Sequence, residues 1–230
     1  MISLGEHLQK PDAEILIDTL SHLPIEDYNA FVLRKVDAGA FTQHRSYSEN
    51  GGGAVVNLLA RNSVSVVPDM RVELTLLLDE IATEYLKKNF VAMEGIKMLP
   101  IQSDFFSYPV GIGIVPHVDD HVIGRSGSLI GFDPQRSITA LVYLNDDFEG
   151  GELFFPDHDL VIKPKPGTFV MFPSNKNFRH GVSPITAGRR NSYQRVYAII
   201  DSTGSYVESD DPAIKAQYSC CPSSANVNAT

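Results

Sequence analysis

The sequence contains no tryptophan and only two cysteines among its 230 residues. Cys220 and Cys221 are adjacent and lie near the C-terminus, so no framework of disulfide bonds can hold the fold together. A neighbouring pair of cysteines in a polar segment is more simply explained as incidental than as a metal site. The fold must therefore depend on an apolar core, and a chain of this length with 43% hydrophobic residues can bury one.

Positive charge and long apolar runs are also scarce. The 19 Lys and Arg residues are outnumbered by 28 Asp and Glu residues, giving a net charge of -9. This balance argues against a nucleic-acid partner, because phosphates require a basic surface. No apolar run approaches the length of a membrane span, and residues 1–7 lack the features of a signal peptide. We therefore expect a cytoplasmic protein that binds neither nucleic acid nor a membrane.

Helical spacing occurs twice in the first hundred residues. Apolar residues at positions 13, 16, 17, 20 and 23 predict a short helix over residues 12–23. A longer apolar stripe from Leu74 to Tyr85 predicts a helix over residues 69–89. Between them, residues 28–36 are β-branched and aromatic, which is typical of a strand. Residues 45–54 contain three consecutive glycines and indicate a flexible connection that can border a pocket.

The second half of the chain is a series of short strands separated by turns. The predicted strands are 102–108, 114–118, 137–144, 152–155, 160–162, 168–172, 181–184 and 192–201. Helices followed by short strands indicate an α+β chain whose core is a double-stranded β-helix, the jelly-roll arrangement of cupins, flanked by N-terminal helices. We expect one domain over residues 1–201, with helical support over about 1–100 and the jelly-roll core over about 101–201.

Two further segments are distinguished by composition. Residues 122–135 contain three glycines and a proline, and form a candidate lid. Residues 202–230 are rich in Ser, Asn, Ala and Asp without apolar periodicity, and are predicted to form a polar C-terminal tail.

Two histidines and one aspartate form the most informative pattern. His117 and Asp119 are two residues apart, so on a strand both side chains project from one face and can bind the same ion. Alone, this pair is weak evidence, because a surface histidine beside an acid is common. His180 follows 61 residues after Asp119, near the start of a late strand, and a jelly roll brings distant strands together. Two imidazoles and one carboxylate with open positions are the ligands of non-haem Fe(II) oxygenases.

Two neighbouring residues compete for these roles. His121 has the same parity as His117 and Asp119, but the glycine-rich segment after it indicates that the strand ends there, so we place the third ligand at His180. We expect His121 to lie near the site or in the lid. Arg190 follows His180 by ten residues, and its guanidinium can hold an acidic co-substrate through two hydrogen bonds. Arg189 points to the opposite face of a strand.

Five blocks in this order resemble the 2-oxoglutarate and Fe(II)-dependent dioxygenases, most closely the prolyl 4-hydroxylase-like branch. The resemblance covers roughly residues 104–201, through Tyr108–Asp119, Arg136–Asp146, Gly150–Phe155, Pro164–Phe172 and His180–Arg190. It implies that His117, Asp119 and His180 bind Fe(II), and that Arg190 pairs with the distal carboxylate of 2-oxoglutarate.

The resemblance also implies hydroxyl groups around the co-substrate. Thr139 and Tyr143 share one face of a predicted strand, and Ser192 shares the face of Arg190. Ordinary barrel lining is an alternative role for Thr139 and Ser192. Many members of the family carry a tyrosine three residues before the first histidine, whereas this chain has Ile114. We therefore expect Tyr108 or Tyr143 to supply that hydroxyl.

The implied reaction uses Fe(II), 2-oxoglutarate and O2, releases succinate and CO2, and hydroxylates an unactivated C–H bond. The carboxylate of Asp119 favours hydroxylation over halogenation, because related halogenases have a small residue at this position. Desaturation, epoxidation and ring formation require the same ligands. The compact chain favours a small-molecule substrate, such as a free amino acid or a natural-product intermediate. A prolyl-type peptide hydroxylase and a non-enzymatic metal-binding jelly roll are the alternatives, and the sequence does not indicate an oligomeric state.

Overall fold

The computed structural model of the protein describes residues 8–39, 42–45, 54–57, 68–90, 95–123, 129–133 and 136–200. In residues 42–45, 54–57, 68–71, 121–123 and 129–132 it describes the backbone alone. The predicted polar tail and residues 46–53 of the glycine-rich connection lie outside these ranges. Among the described helices, none combines the length and apolar character that a membrane crossing requires.

Strands are the most abundant regular structure in the described chain, and two α-helices accompany them. The helices are α1 (Ile25–Asp37) and α2 (Pro68–Asn89). The strands are β1 (Leu16–Thr19), β2 (Thr42–Arg45), β3 (Ala54–Asn57), β4 (Lys97–Pro109), β5 (Ile114–His117), β6 (His121–Ile123), β7 (Leu129–Phe132), β8 (Ile138–Tyr143), β9 (Phe148–Glu149), β10 (Leu153–Phe155), β11 (Leu160–Ile162), β12 (Thr168–Pro173), β13 (His180–Val182) and β14 (Ala187–Ile200).

The strands form two antiparallel sheets and a hairpin. The larger sheet has the order β1-β12-β8-β14-β4-β3-β2, with β9 paired to one end of β14, and the smaller sheet has the order β11-β10-β13-β5. Strands β6 and β7 form the hairpin within the predicted lid. Leu141 and Phe172 of the larger sheet pack with Leu153 and Phe155 of the smaller sheet in one apolar cluster. The two sheets therefore face each other, and the predicted double-stranded β-helix is confirmed.

The central strands of the larger sheet are buried on both faces. Every residue of β8 is buried, with Leu141 and Tyr143 facing the smaller sheet while Ala140 and Val142 pack in the cluster that contains the helices. Strand β14 contributes Tyr193 to that helical side, where its ring centroid lies 4.9 Å from that of Phe105. A sheet covered on both faces requires such near-continuous apolar runs.

The helical layer is built from regular apolar stripes. Tyr28 and Val32 of α1 and Leu74 and Leu78 of α2 are buried, and each pair is four residues apart, on one helix face. Each fully buried leucine contributes about 1.5–3 kcal/mol to the folded state. The helices therefore hold the outer face of the larger sheet.

Two of the predicted helices and strands are wrong, and the remaining predicted helix and strands agree with the structure. Residues 12–23 do not form a helix, because residues 16–19 pair with β12 as the edge strand β1. Residues 28–36 belong to α1 and not to a strand, since the burial of Ile25, Tyr28 and Val32 follows the helical period and overrides a composition rich in β-branched residues. The predicted helix over 69–89 is confirmed as α2, and the eight predicted strands correspond to β4, β5, β8 and β10–β14.

A bidentate ion pair connects α2 to the larger sheet. The Nε and Nη2 atoms of Arg195 in β14 each donate to a carboxylate oxygen of Asp79 in α2 at 2.7 Å, and the Arg195 side chain is only 9% exposed. We expect Asp79→Asn to lower the free energy of unfolding by about 1–3 kcal/mol, because the buried guanidinium loses its charged partner. Urea denaturation measures this loss.

Glu84→Gln is the matched control on the same helix. Glu84 pairs with Lys87 at 2.6 Å, but its side chain is 70% exposed, so the expected loss is below about 1 kcal/mol. Equal losses for the two variants would contradict a structural role for the ion pair between Arg195 and Asp79.

Candidate active site

His117, Asp119 and His180 meet because β5 and β13 are neighbours. His117 ends β5, Asp119 lies in the turn that follows, and His180 begins β13. The register places His117 and His180 directly opposite each other, with ring centroids 4.5 Å apart. One ligand atom from each of the three side chains lies within 4.8 Å of the other two. Strand pairing thus brings the distant third residue to the pair that is close in sequence.

The separations among these atoms suit a single metal ion. Ligand atoms about 2.0–2.2 Å from an ion and at right angles lie about 3 Å apart. The Nε2 atom of His117 lies 3.2 Å from Asp119 Oδ1, and that of His180 lies 3.9 Å from Asp119 Oδ2. Within the described residues, no other group of three His, Cys, Asp or Glu side chains meets the same distance criterion.

Backbone carbonyl groups fix the orientation of both imidazoles. The Nδ1 atom of His117 lies 3.0 Å from the carbonyl oxygen of Val115, and that of His180 lies 3.0 Å from the carbonyl oxygen of Phe178. A proton on each Nδ1 is donated to its carbonyl and leaves the Nε2 lone pair for a metal. Both rings therefore present the same nitrogen to the site.

The surroundings set the charge of the three side chains. Burial beside the rings of Phe155 and Phe172 lowers the pKa of His180 to about 4, which keeps its imidazole neutral. Burial opposes ionisation of Asp119, but the nearby His180 and His117 outweigh it and hold the pKa of the carboxyl well below its usual range. Burial also lowers the pKa of His117, but the hydrogen bond to Asp119, the charge of that carboxylate and the hydrogen bond to the Val115 carbonyl together outweigh burial and raise the pKa. The site offers a carboxylate and a neutral imidazole at neutral pH.

Thr139 supports Asp119 in the structure. Its hydroxyl donates to Asp119 Oδ2 at 2.6 Å and lies 2.9 Å from the hydroxyl of Ser174. The Thr139 hydroxyl, which the sequence assigned to the co-substrate, therefore donates to the carboxylate of Asp119. Asp119 Oδ1 remains available to a metal ion. Ser174 was not anticipated, since a serine after a buried strand carries no signal of this role.

We expect Thr139→Val to weaken iron binding by about tenfold, because Asp119 loses a partner that orients it. The substitution keeps the volume of the side chain, and a metal titration of the apoprotein measures the change. The affinity for 2-oxoglutarate at saturating metal should stay unchanged. Weaker 2-oxoglutarate binding with normal iron affinity would instead favour the role predicted from the sequence.

Arg190 presents a buried guanidinium to the same pocket. Its Nη2 atom donates to the hydroxyl of Tyr143 at 2.9 Å, and its Cζ atom lies 4.7 Å and 5.1 Å from the ring centroids of Tyr143 and Tyr108. Arg190 is 2% exposed, and its Nε atom is buried without a hydrogen-bond partner among the described residues. A buried cation with a free donor is costly unless an anion binds it.

The two tyrosines remain protonated around this cation. Burial raises the pKa of Tyr108 to about 12 despite the opposing effect of Arg190, and burial likewise raises the pKa of Tyr143. The Tyr143 oxygen accepts from Arg190, so its own proton remains available to an oxygen atom of a ligand.

The pocket brings most of the predicted residues together. Arg189 points away from it, as the strand parity predicts, and donates to Ser107 at 3.2 Å. Thr139 and Tyr143 are not among the lining residues, but Thr139 contacts Asp119 and Tyr143 contacts Arg190. Gln194 was overlooked, although it shares the parity of Arg190. The lining residues are Phe106, Tyr108, Ile114, His117, Asp119, Leu141, Leu153, His180, Val182, Arg190, Ser192 and Gln194.

The backbone of His121 begins β6 directly after the turn that holds Asp119. The structure describes only the backbone at this position, and residues 124–128 of the predicted lid lie outside the described ranges. The proposed roles of His121 and of the lid therefore stay predictions.

Comparison with known proteins finds a family model that matches the part of the chain that contains this pocket. Residues 104–198 match the model of the 2OG-Fe(II) oxygenase superfamily, and this range contains all three candidate metal ligands and Arg190. A stretch of 60 residues, 24% of the chain, is 45% identical to human prolyl 3-hydroxylase 2. The match spans only 8% of that relative.

Solved structures show the same fold at low sequence identity. The viral collagen prolyl hydroxylase of Paramecium Bursaria Chlorella virus-1, in complex with 2-oxoglutarate, has a TM-score of 0.56 and 15% identity over 80% of this chain and 94% of that chain. A Trichoplax adhaerens prolyl hydroxylase, in complex with a hypoxia inducible factor peptide fragment, has a TM-score of 0.57 and 18% identity over 81% of this chain and 84% of that chain.

Proposed function

We propose that this chain, which belongs to the 2OG-Fe(II) oxygenase superfamily through residues 104–198, hydroxylates proline residues within polypeptides. The family uses Fe(II), 2-oxoglutarate and O2. In the proposed reaction one oxygen atom of O2 enters the C–H bond of the substrate, and the other enters succinate as 2-oxoglutarate loses CO2.

One observation carries the co-substrate half of this proposal. Arg190 is buried in the pocket of His117, Asp119 and His180, and its Nε donor has no partner among the described residues. A dicarboxylate that chelates a metal at these ligands through one end can satisfy Arg190 with the other. A planar guanidinium suits that distal carboxylate, because it donates two hydrogen bonds in parallel.

The other side chains divide the remaining tasks. The Tyr143 hydroxyl is held by Arg190 and can donate to the distal carboxylate, while Ser192 lies on the same face of β14. The apolar side chains of Leu141, Leu153 and Val182 exclude water from the reacting position. Thr139 and the backbone carbonyl groups hold the metal ligands in place.

The lining of the pocket supports a prolyl substrate over a free amino acid. A free amino acid brings an ammonium and a carboxylate that both need partners when buried. In the part of the chain that the structure describes, the acidic and basic side chains of the lining are the three candidate metal ligands and Arg190, all assigned to other tasks. A proline residue within a peptide carries neither charge. The names of the similar proteins support this alternative over the small molecule that the sequence favoured.

A product assay tests the proposed reaction. The protein is incubated with Fe(II), 2-oxoglutarate and O2 and with pairs of end-blocked peptides that differ by one proline-to-alanine replacement. We expect succinate release and a mass gain of one oxygen atom with the proline peptide alone. Comparison with 3-hydroxyproline and 4-hydroxyproline standards then gives the ring position.

Three other outcomes would change the conclusion in different ways. Succinate release stimulated by free amino acids or other metabolites, without peptide turnover, would favour a small-molecule hydroxylase. Oxidation of the peptide without a gain of oxygen would indicate desaturation. Folded, iron-loaded protein that binds no 2-oxoglutarate would support a metal-binding jelly roll without oxygenase activity.

A further inference from the structure

The backbone around Arg190 lies in a gap between two strand ladders. Strand β8 pairs with β14 as far as Ser192, and β9 pairs with β14 as far as Gly188. Residues 189–191 lie between these ladders, with Arg190 in the middle. On the opposite edge, β4 pairs with the same residues. One edge of the segment that carries the guanidinium therefore lacks a paired strand.

The side chain of Asn145 fills this gap. Its Oδ1 atom accepts from the backbone N–H of Asn191 at 2.8 Å, and its Nδ2 atom donates to the backbone carbonyl of Arg189 at 2.6 Å. Asn145 is 5% exposed and follows the end of β8 by two residues. One side-chain amide thus replaces the backbone of a neighbouring strand and holds the peptide groups on both sides of Arg190.

Two further contacts fix the amide of Asn145. Its Nδ2 atom also donates to Asp147 Oδ1, which determines which end of the amide carries the hydrogens. The backbone N–H of Leu144 donates to the carbonyl of Asn191 at 3.0 Å, so the residue before Asn145 is already attached to β14. Asn145 therefore has little freedom to turn away from the gap.

The space around the Arg190 side chain makes the backbone position important. A Cβ atom on Gly151 would lie 3.0 Å from Arg190 Cδ, and the rings of Tyr108 and Tyr143 enclose the guanidinium. A side chain in so narrow a channel can adjust little if its backbone shifts. A displacement of about 1 Å is enough to weaken a bidentate contact strongly.

We propose that Asn145 is a positioning residue that holds Arg190 at the distance required by the distal carboxylate of the co-substrate. This inference rests on the proposed function, because it assumes that Arg190 binds 2-oxoglutarate. Asn145 does not line the pocket, so it acts through the backbone of β14.

Two chelating ligands distinguish this role from a general effect on folding. Oxalate chelates a metal in the same way as the keto-acid end of 2-oxoglutarate but has no distal carboxylate for Arg190. Anaerobic calorimetry on Fe(II)-loaded protein measures both affinities. We expect Asn145→Ala to weaken 2-oxoglutarate binding by about tenfold, the effect of two displaced hydrogen bonds, and to change oxalate binding by less than about twofold.

Asn89→Ala is the matched control. Asn89 is also buried, at 2% exposure, and its side chain accepts from the backbone N–H of Glu14 at 3.0 Å and donates to the carbonyl of Tyr85 at 3.0 Å. The control removes the same kinds of hydrogen bond at the end of α2, away from the pocket, and should leave both affinities unchanged.

Asn145→Asp provides a second variant if the alanine variant does not fold. It keeps the acceptor for Asn191 N–H and loses the donor to the Arg189 carbonyl, so we expect about threefold weaker 2-oxoglutarate binding. Equal weakening of both ligands, or of neither, would overturn the positioning role. Wild-type protein without any preference for 2-oxoglutarate over oxalate would instead refute the role of Arg190 and with it the proposed function.

Discussion

His180→Ala is expected to abolish iron-dependent turnover. The substitution removes one of three candidate ligands from a site where the remaining pair, His117 and Asp119, is held by one short segment. Loss of a residue that only orients a ligand already costs about 10–100-fold in metal affinity, so loss of the ligand itself should exceed about a hundredfold. Titration of the apoprotein with Fe(II) under anaerobic conditions measures the affinity, and succinate release measures turnover.

Two other histidines make this experiment selective. His22 is exposed and lies between β1 and α1, outside the candidate site. His22→Ala should therefore retain full affinity for Fe(II) and full turnover. His121→Ala tests the competing local ligand set and should also retain most of the activity. Retained iron binding in His180→Ala together with lost binding in His121→Ala would overturn the ligand assignment. Circular dichroism of each variant confirms that the fold is intact.

Arg190→Ala should weaken 2-oxoglutarate binding by about a hundredfold and leave iron affinity unchanged. Hydrogen bonds to charged groups contribute about 1.5–3 kcal/mol, and each 1.4 kcal/mol corresponds to a factor of ten. The guanidinium lies on β14, whereas the candidate metal ligands belong to β5, β13 and the turn after β5. The metal site should therefore survive the substitution. Anaerobic titration of the Fe(II)-loaded variant with 2-oxoglutarate measures the loss.

Arg189→Ala is the adjacent control for this variant. Its side chain points to the other face of β14 and donates to Ser107, so 2-oxoglutarate affinity should change by less than about threefold. Arg190→Lys keeps the charge but cannot form two parallel hydrogen bonds, and should show an intermediate affinity. Unchanged co-substrate binding in Arg190→Ala would reject the assignment of this residue.

Much of the architecture could be predicted from periodicity. The stripe from Leu74 to Tyr85 identified α2, and the turn residues between short runs in the second half identified the strands of the core. Parity along β14 correctly separated Arg190 from Arg189. The helix prediction succeeded because burial on one face places apolar residues at the helical period, and the two arginines were separated because alternate residues of a strand point to opposite faces.

The features that the sequence did not predict depend on contacts between residues that are distant in the sequence. Residues 16–19 became a strand because β12 offers an edge, which local spacing does not indicate. The role of Thr139 depends on where the turn after β5 places Asp119, and that of Asn145 depends on a gap between two ladders. Neither arrangement leaves a periodic pattern, so both appear only when the register of the strands is known.

Both faces of β8 and β14 are buried, and this sets the minimum length of a fragment that can fold and keep the candidate active site. Excising residues 104–198 would strip α1 and α2 from the sheet and expose Ala140, Val142 and Tyr193 to water. Such a fragment would keep every proposed catalytic group. It would also expose an apolar surface on the face of the larger sheet that α1 and α2 cover, and such surfaces promote aggregation. The shortest unit that can be produced in soluble form is therefore longer than residues 104–198, the segment that matches the family model, and must include α1 and α2.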